Sequence, residues 1–182
     1  MTLVEIMDKH AAPRGHGHGD KNGDHSYGPV YETLLAPYRQ AGSILEIGLG
    51  WGLSLAVWAE YFGPEAQIFG VDKQIRFPRR RFDSRVHIFK HDATTAGVAT
   101  LLDPFRFDVV IDDGSHVEME QKATFNLLKS KVKSGGIYVI EDLLDPEHSI
   151  PPLKSLHPNC EVIDRRRVKG CYADVLLVFR FP

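Results

Sequence analysis

Apolar residues recur along the chain in two rhythms. Compact runs occur at GSILEIG (42–48), AQIFGVD (66–72), VHIFKHD (86–92), FDVVIDD (107–113) and GGIYVIED (135–142). Short, β-branched-rich runs of this kind predict strands buried on both faces. Between them LSLAVWAEYF (53–62), stopped by Gly63 and Pro64, predicts a helix, and TTAGVATLLDP (94–104) a helix or helical turn. VEMEQKATFNLLKSKV (117–132) predicts an amphipathic helix with Ala123, Leu127 and Leu128 near its apolar side. IRFPRRRFD (75–83) reads as a basic loop or short helix around Pro78. Ahead of the first strand, residues 1–9 carry Leu3, Val4, Ile6 and Met7 on one side of a short helix. A second helix follows over VYETLLAPY (30–38), with Pro29 suited to its first turn. A loop rich in proline and histidine (144–159) precedes two last strands, EVIDRRR (161–167) and ADVLLVFRF (173–181), joined by a turn at Gly170.

Strands spaced by helices imply an α/β fold, a Rossmann-like and mostly parallel sheet with helices on both faces. The two closing strands, joined by a short turn, must pair antiparallel. With 182 residues, 43% of them apolar, the chain fits one domain with a core that needs no staples. Lys and Arg number 22 against 24 Asp and Glu, a formal charge of −2, which argues against a protein built to hold nucleic acid. RRRF (79–82) and RRR (165–167) accordingly read as solvated turns or strand ends before they read as guides for an acidic partner. Cys160 and Cys171 are too few for a disulfide scaffold and are expected as buried free thiols. The opening MTLVEIMDKHAAPRG carries charge early and does not read as a signal peptide, and no window approaches the ~20 apolar residues of a membrane span. A cytoplasmic location without a membrane partner is therefore expected.

Chemistry enters at the strand ends. LEIGLGWG puts Gly48, Gly50 and Gly52 at alternate positions past the first strand. Glycine lets a ligand approach the backbone, and the helix that follows offers free N–H groups. Asp72 ends the second strand, where a carboxylate can accept from a ribose diol. Asp92, after the third, could accept from an adenine amino group or could simply be solvated. The loop is G-x-G-x-G, and Glu46 stands in the strand just before it. That suits a cofactor with a positive or neutral tail better than a pyrophosphate, and it speaks against a nucleotide-dependent oxidoreductase. Trp51 either lines the cofactor pocket or packs beneath it.

The fourth strand ends at Asp112 and Asp113 and the fifth at Glu141 and Asp142. If these strands are neighbours, up to four carboxylates meet, and a divalent cation relieves their repulsion. Oxygen ligands of this kind suit Mg²⁺, Mn²⁺ or Ca²⁺. Spacing does not choose between Asp112 and Asp113, which can point to opposite faces. Ser115 is placed to cap a helix. His116 is either first-turn surface or a base for a hydroxyl made acidic by a cation.

Glu46-x-Gly48-x-Gly50 with Asp72 resembles the class I S-adenosylmethionine-dependent methyltransferases. GDKNGDHSYGPVYETLLAPYR, VIDDGSH and GGIYVIEDL are similar, more narrowly, to the metal-dependent O-methyltransferases of antibiotic biosynthesis, which act on macrolide sugars and a cephalosporin hydroxyl. The likeness spans most of residues 19–143. It implies a seven-stranded sheet with the last strand reversed. It implies S-adenosyl-L-methionine held by Glu46, Gly48, Gly50, Trp51, Gly52, Asp72, Asp92 and Asp112. It implies a metal on Asp113, Glu141 and Asp142, with Asp113 and His116 at the reaction and His116 as the base.

The segment from His10 to Pro29 is dense in Gly, His and Asp and cannot bury itself, so on composition it is a flexible arm or a loop ordered by something else. The resemblance makes it an arm over the cofactor, with Asp20, Lys21, His25 and Tyr27 as the matching residues and the family's threonine missing. Residues 1–40 then form an arm and helix covering the site, and 41–182 the cofactor-binding domain. His16 and His18 read as a surface tract rather than a transition-metal site. The expected reaction is O-methylation of a small polyhydroxylated molecule, a sugar or a natural-product intermediate. The alternatives are a metal-independent methyltransferase and a non-catalytic partner that binds the cofactor. Family members are longer, with substrate-covering insertions that are missing here, so a homo-oligomer could supply the substrate walls.

Overall fold

A computed structural model describes residues 1–11, 21–40 and 42–182. Its strands are β1 Ser43–Ile47, β2 Gln67–Asp72, β3 Val86–Lys90, β4 Phe107–Asp112, β5 Val132–Ile140, β6 Cys160–Asp164 and β7 Val175–Arg180. They form one seven-stranded sheet in the order β3-β2-β1-β4-β5-β7-β6. The first five strands run parallel, and β7 lies antiparallel between β5 and β6. The chain order reverses between β1 and β4, and in an open sheet that reversal opens a crevice beyond the strand ends.

Helices α1 Leu3–His10, α2 Gly28–Leu35 and α3 Leu53–Tyr61 cover one face, and α4 Gly97–Leu101, α5 Glu118–Leu128 and α6 Pro146–Lys154 the other. The division follows the two-residue period of a strand. Ile44, Ile68, Val109, Ile111 and Val139 pack with Leu3, Tyr31 and Trp58. Their neighbours Leu45, Phe69, Val110, Tyr138 and Ile140 pack with Val98, Phe125 and Leu153. Thr2 closes a capping box on α1 with Glu5, and Pro29 sits in the first turn of α2.

Several expectations fail locally. Residues 146–154, read as loop for their prolines, form α6, with Pro151 and Pro152 inside it. Pro146 starts the helix, and Pro146, Ser149 and Leu153 are its buried residues, so burial at helical spacing outweighs the two missing N–H donors. RRR (165–167) does not extend the strand: β6 ends at Asp164, and Arg166–Lys169 is a helical turn, α7, closed by Gly170 at φ 76. Arg166 is held there by Asp164 and Glu147. Helix α5 starts at Glu118 and buries Gln121, Thr124, Phe125 and Leu128, while Ala123 and Leu127 are only half-buried. Both cysteines are free but half-buried. No helix among the described residues is long and apolar enough to cross a membrane.

Candidate active site

Three strand ends meet at the reversal. The Asp113 N–H donates to the Ile47 carbonyl and the Glu141 N–H to the Asp112 carbonyl, both at 2.9 Å. These bonds carry the pairing of β1, β4 and β5 one residue past each strand. The glycine loop leaves β1 at the same place. Gly48 has φ 82, and a Cβ there would stand 1.9 Å from the Asp113 carbonyl oxygen. Only glycine lets the loop pass the β4 turn that closely. Beyond it lies a cleft of about 760 Å³, lined among others by Gly50, Trp51, Asp72, Asp113 and His116.

Alternation decides which carboxylates face each other. Asp112 points with Tyr138, whose hydroxyl donates to it at 3.0 Å, and it also takes the Gly114 N–H, so it braces the turn. Burial pushes its pKa up to about 7. Asp113, Glu141 and Glu46 all lie on the α1–α3 side. There Lys21, only 5% exposed, donates to Asp113 at 2.7 Å and to both Glu141 oxygens at 2.7 and 2.8 Å. Its Nζ is 3.6 Å from Glu46, whose other oxygen takes the Ser54 hydroxyl. Burial raises the Glu46 pKa to about 7 against the pull of Lys21, and it raises Glu141 well above the usual carboxylate range. Tyr31 donates its hydroxyl to Glu141.

Asp142 breaks the alternation. It adopts φ 53, as His116 adopts φ 61; these are the positive-φ residues other than glycine among those described. The twist brings Asp142 to Tyr27, whose hydroxyl donates at 2.6 Å. One donor atom each from Asp113, His116 and Asp142 lie within 4.8 Å of one another. The two carboxylates are hard oxygen donors that fit a divalent cation of the Mg²⁺ or Mn²⁺ kind, and the imidazole stands beside them. Glu141 stands outside this trio, bound to Lys21 and Tyr31. The His116 Nε2 is 3.9 Å from Asp113, and its buried Nδ1 lacks a hydrogen-bond partner among the described residues.

The other expected residues divide. Lys21, Gly48, Gly50, Trp51, Asp72 and Asp112 line the cleft. Trp51 is 52% exposed, so it lines the pocket rather than packing beneath it. Asp72 accepts the N–H groups of Leu49 and Gln74 at 2.7 and 2.8 Å, which ties the glycine loop to the end of β2. Glu46, Gly52, Asp92, Tyr27, Glu141 and Asp142 do not line the cleft. Gly52 caps α3 at φ 74, and Asp92 turns back on Thr94 and Lys73. Ser115 accepts the Val117 N–H at 3.4 Å ahead of α5. Asp20, His16 and His18 lie outside the described residues.

The arm from Lys21 to Tyr27 is a loop ordered by the acidic centre, against which Lys21, Ser26 and Tyr27 are buried. Composition left this open, since the burial rests on ion pairs and hydrogen bonds rather than aliphatic contacts. Tyr31, His91 and Gln121 went unremarked in the sequence. For Tyr31 the (i, i+4) spacing from Tyr27 was a usable signal.

Comparison with known proteins then bears on the site. No family model matches the chain. It is 42% identical over 132 residues to the 8-demethyl-8-(2-methoxy-α-L-rhamnosyl)-tetracenomycin-C 3′-O-methyltransferase of Streptomyces olivaceus, covering 65% of this chain and 32% of that protein. It is 36% identical over 131 residues to the mycinamicin VI 2″-O-methyltransferase of Micromonospora griseorubida, with 65% and 32% covered. A methyltransferase of the mycinamycin biosynthetic pathway, solved in complex with Mg, SAH and mycinamycin VI, superposes with a TM-score of 0.74 at 28% identity, over all of this chain and 55% of that one. The chain belongs to the family of the antibiotic-sugar O-methyltransferases and shares their class I fold. It spans about a third of the length of the curated relatives it matches.

Proposed function

We propose that the chain is the catalytic portion of an S-adenosylmethionine-dependent, divalent-metal-dependent O-methyltransferase. Its acceptor is a hydroxyl of a small polyhydroxylated molecule, a sugar or natural-product intermediate. The observation that carries this reading is one cleft bounded by the glycine loop and by Asp113 and His116, with Asp142 directly behind them. The relatives methylate hydroxyls of sugar-bearing antibiotics by their names, which supports the acceptor class.

When bound, the donor supplies an activated sulfonium methyl, and the cation lowers the pKa of the acceptor hydroxyl. The residues of the chain supply the rest. Gly48, Gly50 and Trp51, with Lys21 of the arm, enclose the donor, and Asp72 takes the ribose; Tyr27 holds the arm behind them. Asp112 lines that pocket, and Glu46, Gly52 and Asp92 support it from behind. Asp113 and Asp142 would hold the cation, and Glu141, here bonded to Lys21, would be the third carboxylate of the set. His116 accepts the hydroxyl proton at Nε2, the nitrogen turned toward Asp113. Residues 1–40 act as cover and 41–182 as the cofactor domain, in the cytoplasm, with a second copy of the chain as a source of substrate walls.

A second reading, methyl transfer without metal, draws on Lys21, a resident cation already bonded to Asp113 and Glu141. Transfer of labelled methyl to a panel of hydroxylated glycosides, run with EDTA and then with Mg²⁺, separates the two. The first reading expects loss and recovery, and the second expects no change. Failure to bind S-adenosylhomocysteine, with NAD as the control, overturns both.

A further inference from the structure

We propose that His25 and Asp174 are positioning residues for Asp142, fixing which of its oxygens faces the cation site. The proposal rests on the reading that Asp142 holds a cation. Asp174 precedes β7, 0% exposed, and has no place in the chemistry above. A buried carboxylate persists only where hydrogen bonds replace its water. Its Oδ2 takes the N–H and the hydroxyl of Ser26 at 3.2 and 3.0 Å, and its Oδ1 lies 2.5 Å from the His25 Nδ1. A carboxylate oxygen accepts in such a contact, which assigns the donor role to the His25 Nδ1.

The same Nδ1 is 3.3 Å from Oδ1 of Asp142, the oxygen that also takes the Tyr27 hydroxyl. The Tyr27 ring stacks on His25, with centroids 5.1 Å apart at 12°. Three consecutive residues, His25, Ser26 and Tyr27, thus stand between two carboxylates remote in sequence. Asp142 needs such a hold. Its φ of 53 is a left-handed backbone that persists only where its surroundings fix it. With Oδ1 taken by Tyr27 and faced by His25, and no hydrogen bond to Oδ2 among the described residues, Oδ2 is the oxygen offered to a cation. Lys169 fixes the arm independently, donating to the carbonyls of Asn22, Gly23 and His25 at 2.6, 2.9 and 2.9 Å.

The test is direct Mn²⁺ binding to the full chain, followed by paramagnetic resonance without substrate. His25→Ala should weaken Mn²⁺ about 10–100-fold, the usual effect of removing a residue that orients a metal ligand. His25→Asn, which returns a donor near Nδ1, should recover most of the loss. Asp174→Asn is the second variant, preserving shape while removing the charge that orients the ring, and it should weaken binding in the same direction. Equal Mn²⁺ affinity in wild type, His25→Ala and Asp174→Asn, all folded by circular dichroism, overturns the proposal. So does a loss in His25→Ala that His25→Asn does not reverse. A wild type that binds no Mn²⁺ overturns the metal reading itself.

Discussion

The ammonium of Lys21 lies 2.7 Å from Glu141 in a pocket where neither side chain is more than 6% exposed. One residue of a glycine-rich arm therefore neutralises an acid at the end of β5. Removing one partner of a buried pair costs about 3–5 kcal/mol, because the other charge is left uncompensated. Lys21→Met should lower the denaturant midpoint accordingly in metal-free buffer. Added Mg²⁺ should restore part of the loss, and a midpoint indifferent to Lys21→Met would show the pair to be energetically idle.

Gly48→Ala tests the contact between the glycine loop and the β4 turn. A left-handed φ alone costs about 1–3 kcal/mol for alanine. The Cβ would also stand 1.9 Å from the Asp113 carbonyl, so the loop or the turn must move. Urea unfolding should show a loss above that range. Methyl-donor affinity should fall with it, read by S-adenosylhomocysteine titration.

The buried carboxylates set a pH dependence. Asp112 in the folded chain sits at about 7, against an ordinary value of 3.8. A raised carboxylate pKa favours the folded state below the unfolded value, and that stability is lost as pH rises through the folded value. Metal-free protein should therefore lose stability between about pH 4 and pH 7, with Glu46 adding in the same direction. Asp112→Asn should flatten that slope in urea titrations across the interval. A slope identical to wild type would mean that Asp112 stays ionised throughout.

His116→Ala should cut kcat by about 10²–10⁴, the usual range for a lost general base, and leave S-adenosylhomocysteine affinity close to wild type. Turnover and binding measured on one preparation decide it. Undiminished turnover removes His116 as the base.

Trp51→Ala should weaken cofactor-product binding without altering the unfolding midpoint, since the ring is 52% exposed and lines the cleft. A change in midpoint with unchanged binding would assign the ring to packing.

Local pattern was enough for the seven strands, the covering helices other than α6, the glycine loop and the two acidic strand ends. Each is written in neighbouring residues: a two-residue or helical period, a glycine spacing, a carboxylate after an apolar run. The Asp112 and Asp113 choice was half visible, because alternation requires them to face oppositely but does not say which face carries the chemistry. Tertiary structure decided the rest. It put Asp113, Glu141 and Glu46 on one side with Lys21, turned Asp142 out of the strand rhythm, and brought Asp174 against His25 across 149 positions. Contacts so distant in sequence leave no periodic trace in it. Composition left the arm around Lys21 between a flexible arm and a loop ordered by something else, because its burial comes from charge pairing with strands that only the folded sheet assembles, and α6 looked like a loop because packing at helical spacing outweighs what two prolines cost locally.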